Sequence, residues 1–97
     1  SKERLHIVEE RGIFGTPDLV VEVVSPFSAK RDLELKRKVY ERFGVKEYWL
    51  VFPEEKAVEV LYLEGGQYLL YDAGAQEGKV CSKLLEGFCV ELKEVFS

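Results

Sequence analysis

Glu22 stands in the middle of LVVEVV, a run of branched aliphatic residues from Leu19 to Val24 bounded by Pro17 and Pro26. Such a run reads as a strand buried on both faces, where an unpaired carboxylate costs several kcal/mol. It needs a partner or a task, and Lys36 is the available partner. Winding residues 31 to 43 at about 100° per residue gathers Leu33, Leu35, Val39, Tyr40 and Phe43 into one apolar arc. Asp32 and Lys36 project from the centre of that arc, and Lys36 is the only basic residue of the segment to do so. Along the strand, the period of two puts Asp18, Val20, Glu22 and Val24 on one face. If the helix packs across that face, the carboxylate meets the ammonium.

Carboxylates at a sheet edge suit Mg²⁺ or Mn²⁺, which take oxygen ligands, keep some of their waters and lower the pKa of one of them. A nearby Lys orients such a water or stabilises charge growing on a phosphate. Glu22 and Lys36 are therefore the candidate catalytic pair, and Glu22 with Asp18 the candidate metal ligands. The same atoms also read as an ion pair that ties a helix to a sheet without chemistry. Asp18, just before the apolar run, also reads as a residue that satisfies turn amides.

The elements around these residues follow from periodicity and turn chemistry. RLHIVEE is strand-like and GIFGTP is a connection. After LVVEVV, SPFSAKRD supplies a turn, with Ser28 as the expected helix N-cap and Asp32 in the first turn. The helix runs to about Phe43 and stops at Gly44. EYWLVF is a second nearly all-apolar strand, PEEK a hairpin connection, and AVEVLYLE and QYLLYDAG an antiparallel pair joined at Gly65 and Gly66. The last segment, KVCSKLLEGFCVELKEVF, holds one or two short strands and a brief terminal helix. A buried strand, a helix and a second buried strand imply a crossover within one sheet. The later hairpins are expected to extend that sheet. The fold class is α/β or α+β, with a mixed sheet and a crossover helix.

With 97 residues, 46% hydrophobic and 33% charged, the chain reads as one small folded domain and not as a disordered one. No apolar run is long enough to span a membrane or to act as a signal peptide, so a cytoplasmic location is expected. Cys81 and Cys89 read as two small buried thiols, and a single His6 far from them argues against a Cys/His zinc site. The net charge of −4 gives no global attraction to nucleic acid. From Lys30 to Lys46, however, seven Lys and Arg against Asp32, Glu34 and Glu41 leave a local +4. That asymmetry fits either a face for phosphates or a solvated helix surface.

GTPDLVVEVVSP followed by RDLELKRKVYERFGVKEYWLVFP resembles the Uma2 (DUF820) family of the PD-(D/E)XK nuclease superfamily. The residues that carry the likeness are the PDLVVEV strand, then Asp32, Lys36 and Tyr40 on the helix, then Gly44, Val45, Glu47, Tyr48 and Trp49. The resemblance implies a restriction-endonuclease-like fold and Mg²⁺- or Mn²⁺-dependent hydrolysis of DNA phosphodiester bonds. Glu22 would be the acidic member of the (D/E)XK element. Val24 occupies the place of its Lys, and Lys36 would supply the displaced ammonium. Lys30, Arg37, Lys38 and Arg42 become candidates for contact with the DNA backbone.

Family members are about twice as long, and the superfamily's metal-binding Asp lies well upstream of the acidic residue, whereas Asp18 is only four residues before Glu22. The resemblance thus makes residues 1–97 a partial domain corresponding to the latter half of the family's, short of one metal ligand. A half domain leaves sheet edge and apolar surface uncovered, so self-association is expected. The competing expectation is a non-catalytic interaction or structural domain that keeps the nuclease fold.

Overall fold

The computed structural model describes residues 18–97. The strand-like RLHIVEE, the connection GIFGTP and His6 lie outside the described residues. Strand β1 (Leu19–Val23) leads through a turn into helix α1 (Lys30–Phe43), and strand β2 (Glu47–Phe52) returns parallel to β1, with Val20 opposite Tyr48 and Glu22 opposite Leu50. Strands β3 (Ala57–Glu64) and β4 (Gln67–Ala75) follow as an antiparallel meander, giving one mixed sheet of order β1-β2-β3-β4. Gly44 ends α1 in the left-handed conformation, with φ of 75°, which only Gly adopts without strain.

The remaining elements depart from the expectation that the later hairpins extend the sheet. Strands β5 (Lys79–Cys81) and β6 (Cys89–Glu91) pair only with each other, and the short helix α2 (Leu92–Val95) follows them. Positive φ at Gln76 and Gly78 turns the chain off the edge of β4 and across the sheet face. There Val80 and Leu92, both fully buried, pack on Leu19, Trp49, Val58 and Val60. Gly74 on β4 is the contact point, since a methyl group there would lie 3.1 Å from Leu92 and from Val80. Cys81 and Cys89 are joined as a disulfide between β5 and β6, and Cys89 is exposed, which corrects the reading of two buried thiols. Two facing short strands bring together cysteines that are eight residues apart in sequence.

The opposite sheet face carries a second core of Val20, Val45, Tyr48, Leu61 and Tyr68, against which Tyr40 of α1 packs. The apolar arc of α1 does not lie centrally on it. Leu33 and Tyr40 are partly buried, but Leu35, Val39 and Phe43 are 51%, 45% and 59% exposed. The helix is turned roughly a quarter of a turn from the orientation its apolar arc predicts. Two polar contacts on its other flank hold it there: the Arg37 guanidinium donates to the Tyr68 carbonyl at 2.9 Å, and the Tyr68 amide donates to the Glu41 carboxylate at 2.9 Å. Ser28 does not cap the helix. Its hydroxyl accepts from the Ser25 amide within the turn, and Ala29 occupies the N-cap without a side-chain bond. No helix among the described residues is long and apolar enough to cross a membrane.

Candidate active site

Glu22 is the last residue but one of β1, and burial falls away along that strand. Leu19 and Val20 are buried, whereas Val23 is 61% exposed. The expected burial of the whole run on both faces holds only for its first half, because the layers above and below cover Leu19 and Val20 and stop short of Val23. Glu22 therefore sits where the core gives way to solvent at the carboxyl end of a parallel strand pair. Ligands of open α/β sheets bind in that position.

Lys36 meets it there. The Lys36 Nζ donates to Glu22 Oε2 at 3.0 Å, with side-chain exposures of 49% and 19%. The pair expected from strand and helix periodicity forms, but at the rim and not at the centre of the buried face, because α1 is turned. The bond from Glu22 holds the Lys36 pKa above its ordinary value of 10.5, so the ammonium stays charged. Asp18 lies four residues before Glu22, a separation of about 13 Å along a strand. It is buried, and its carbonyl accepts the Glu47 amide at 3.1 Å. Asp18 thus stands at the opposite end of β1 from the pair. Among the described residues, no group of three or more His, Cys, Asp or Glu is placed to hold a metal ion.

Three tyrosines line the layer between α1 and the sheet, and of these Tyr40 neighbours both members of the pair. The ring of Tyr48 lies 5.1 Å from that of Tyr40 and 5.6 Å from that of Tyr68. The Tyr68 hydroxyl donates to the Val45 carbonyl at 2.7 Å. The Tyr48 hydroxyl is buried with no hydrogen-bond partner among the described residues, a condition that costs about 1–3 kcal/mol. Burial foremost, then the charge of Glu22, pushes the Tyr40 and Tyr48 pKa values up, so both stay neutral phenols.

The sheet's other face holds a carboxylate that the sequence reading placed only within the family pattern. Glu47 is fully buried. It accepts hydrogen bonds from the Trp49 indole, the Ser82 hydroxyl and the backbone amides of Lys83 and Leu84. Four donors satisfy it, and the arrangement fastens β2 to the segment between β5 and β6. One local signal for it existed: Trp49, two residues on and hence on the same face, carries an N–H that needs an acceptor when buried. The basic residues of α1 also divide. Arg37 is committed to Tyr68 and to Glu41, whereas Lys30, Lys38 and Arg42 are exposed.

The model of the Uma2 family, described as "putative restriction endonuclease", matches residues 2–93. The chain belongs to the Uma2 family. Among solved structures, a crystal structure of a "putative nuclease belonging to DUF820" from Anabaena variabilis shares the fold, with a TM-score of 0.62 at 20% identity. The match covers 86% of this chain and 45% of that one, so this Uma2 chain spans less than half the length of that relative. No curated protein matches it.

Proposed function

We propose that this Uma2 chain carries the Glu22–Lys36 half of a nuclease site that hydrolyses DNA phosphodiester bonds with Mg²⁺ or Mn²⁺. The observation that supports this most is the 3.0 Å contact between Lys36 and Glu22 at the open, carboxyl end of β1. The pair is reachable from solvent, as a substrate-handling pair has to be. A single carboxylate is a sufficient protein ligand for Mg²⁺ when waters and substrate phosphates complete its shell. Only Oε2 of Glu22 is engaged by Lys36. When bound, such an ion would acidify a water and neutralise phosphate charge. Glu22 would hold it, and Lys36 would orient the incoming oxygen or stabilise the developing charge. Asp18 also stands on this face, but at about 13 Å along the strand it lies out of direct reach of an ion on Glu22.

DNA would follow the exposed Lys30, Lys38 and Arg42 along α1, whereas Arg37 is occupied in holding the helix to the sheet. Action on DNA places the protein in the cytoplasm, where a reducing environment opposes the Cys81–Cys89 bond. The exposed Leu35, Val39 and Phe43 flank are the surface through which copies would self-associate.

Titration with Mn²⁺ by calorimetry, alongside cleavage of duplex DNA, tests the reading. The wild type should bind Mn²⁺ and cleave; Glu22→Gln should lose both, and Lys36→Ala should keep the ion and lose cleavage. Equal activity in wild type and Glu22→Gln would remove the catalytic claim. The absence of a three-residue acidic cluster among the described residues favours the second reading, a non-catalytic domain with the nuclease fold. That reading gains if neither Mn²⁺ nor Mg²⁺ binds the wild type.

A further inference from the structure

An edge strand turns half of its amides and carbonyls away from its sheet. In β4, Tyr68 is one of the residues that do so. The Leu63 amide donates to the Lys46 carbonyl on the β2 side at 2.8 Å, so Leu63 directs its polar groups away from β4. Its β4 partner Tyr68 therefore points its own amide and carbonyl outward, and by the strand period of two so does Leu70, the partner of Leu61. Both Tyr68 groups are taken by α1. The amide donates to Glu41 and the carbonyl accepts from Arg37, each at 2.9 Å, and the two side chains lie 3.5 Å from each other. They occupy the acceptor and donor positions that a neighbouring strand would fill. Towards the far end of β4 the Cys81 amide donates to the Asp72 carboxylate at 2.8 Å. Between these two closures Leu69, Leu70 and Tyr71 are 51%, 62% and 48% exposed.

We infer that the outer edge of β4 is a pairing surface for a second copy of this chain, held shut by Arg37 and Glu41. The segment QYLLY, residues 67 to 71, carries no charge and no Pro, the residues that ordinarily guard an open edge. Antiparallel pairing about a two-fold axis at Leu69 sets each Tyr68 opposite the Leu70 of the other copy. Both residues face outward, so each such pair exchanges its main-chain bonds, and no charge meets its like across the axis. Every main-chain bond in that register has a Tyr68 group at one end. Capping this one residue therefore blocks the whole pairing. The surface is distinct from the Leu35, Val39 and Phe43 flank, which belongs to the helix and not to the sheet.

The test is sedimentation equilibrium of the full chain over a range of concentrations, in wild type, in Arg37→Ala with Glu41→Ala, in that double variant with Leu69→Lys added, and in Glu41→Gln. The double variant should rise toward about twice the wild-type mass, with its Tyr68 and Leu70 amides exchanging hydrogen more slowly as concentration rises. Adding Leu69→Lys should return it to the wild-type mass, because like charges then face each other across the axis. Glu41→Gln keeps an acceptor for the Tyr68 amide and should stay at the wild-type mass. If the double variant does not fold, Arg37→Ala alone frees the Tyr68 carbonyl and carries the same test: its mass should rise, and Leu69→Lys should reverse the rise. A folded variant that stays at the wild-type mass overturns the inference. So does a rise that Leu69→Lys leaves in place, since association would then run through the α1 flank or through unfolded chain.

Discussion

The Glu22–Lys36 contact is short but half exposed, and that combination separates its contribution to stability from its contribution to function. Ion pairs of this exposure contribute about 0–1 kcal/mol. Glu22→Gln should therefore shift the urea midpoint by less than about 1 kcal/mol in free energy, while removing any bound ion. A larger loss would mark the pair as a structural tie. Lys36, Tyr40, Tyr48 and Tyr68 all have raised pKa values in the folded chain. For each, the unfolded chain releases its proton at a lower pH than the folded one. Their contribution is thus fully present below the ordinary tyrosine value of 10.0 and declines as pH rises toward the folded values. Urea unfolding compared at about pH 8 and about pH 11 should show a lower midpoint at the alkaline end, with tyrosinate absorbance increasing on unfolding.

The elements are held by contacts that strand and helix periodicity do not describe. Glu47 opens β2 and bonds residues more than thirty positions away, so its removal strands two backbone amides, an indole N–H and a hydroxyl. Glu47→Ala should cost on the order of 3 kcal/mol or more, and Glu47→Gln less, since one acceptor oxygen remains; equilibrium urea denaturation checks both. The disulfide closes the same segment across a separation of eight residues. In the chain-entropy model its reduction costs about 2.5 kcal/mol, seen as a lower melting temperature with dithiothreitol. If melting is unchanged under reductant, the Glu47 bonds alone hold the segment.

The whole molecule has two unlike sides. β5, β6 and α2 cover one sheet face with fully buried Val80 and Leu92. On the other, α1 packs on the sheet through Tyr40 and leaves the Leu35, Val39 and Phe43 flank in solvent. An exposed apolar flank favours association of copies. Sedimentation equilibrium should show mass rising with concentration in wild type, and Leu35→Lys with Val39→Lys should restore a monomer. A monomer in wild type at high concentration would remove self-association from the account.

The described strands, the helix with its Gly44 stop and the meeting of Glu22 with Lys36 were legible in the residues, because periodicity, turn chemistry and the cost of a lone buried carboxylate act within short stretches. Family membership was legible for the same reason, since its pattern runs through contiguous segments from Pro17 to Pro53. The tertiary structure alone decided where α1 rests. Its position depends on Arg37 and Glu41 bonding to Tyr68, about thirty residues away, and those bonds prevailed over the apolar arc. It likewise decided that β5 and β6 fold across the sheet, that Cys81 and Cys89 are bonded, and that Glu47 is a buried acceptor while the Tyr48 hydroxyl is left without one. Each of these turns on which distant groups become neighbours, and composition or spacing carries no record of that.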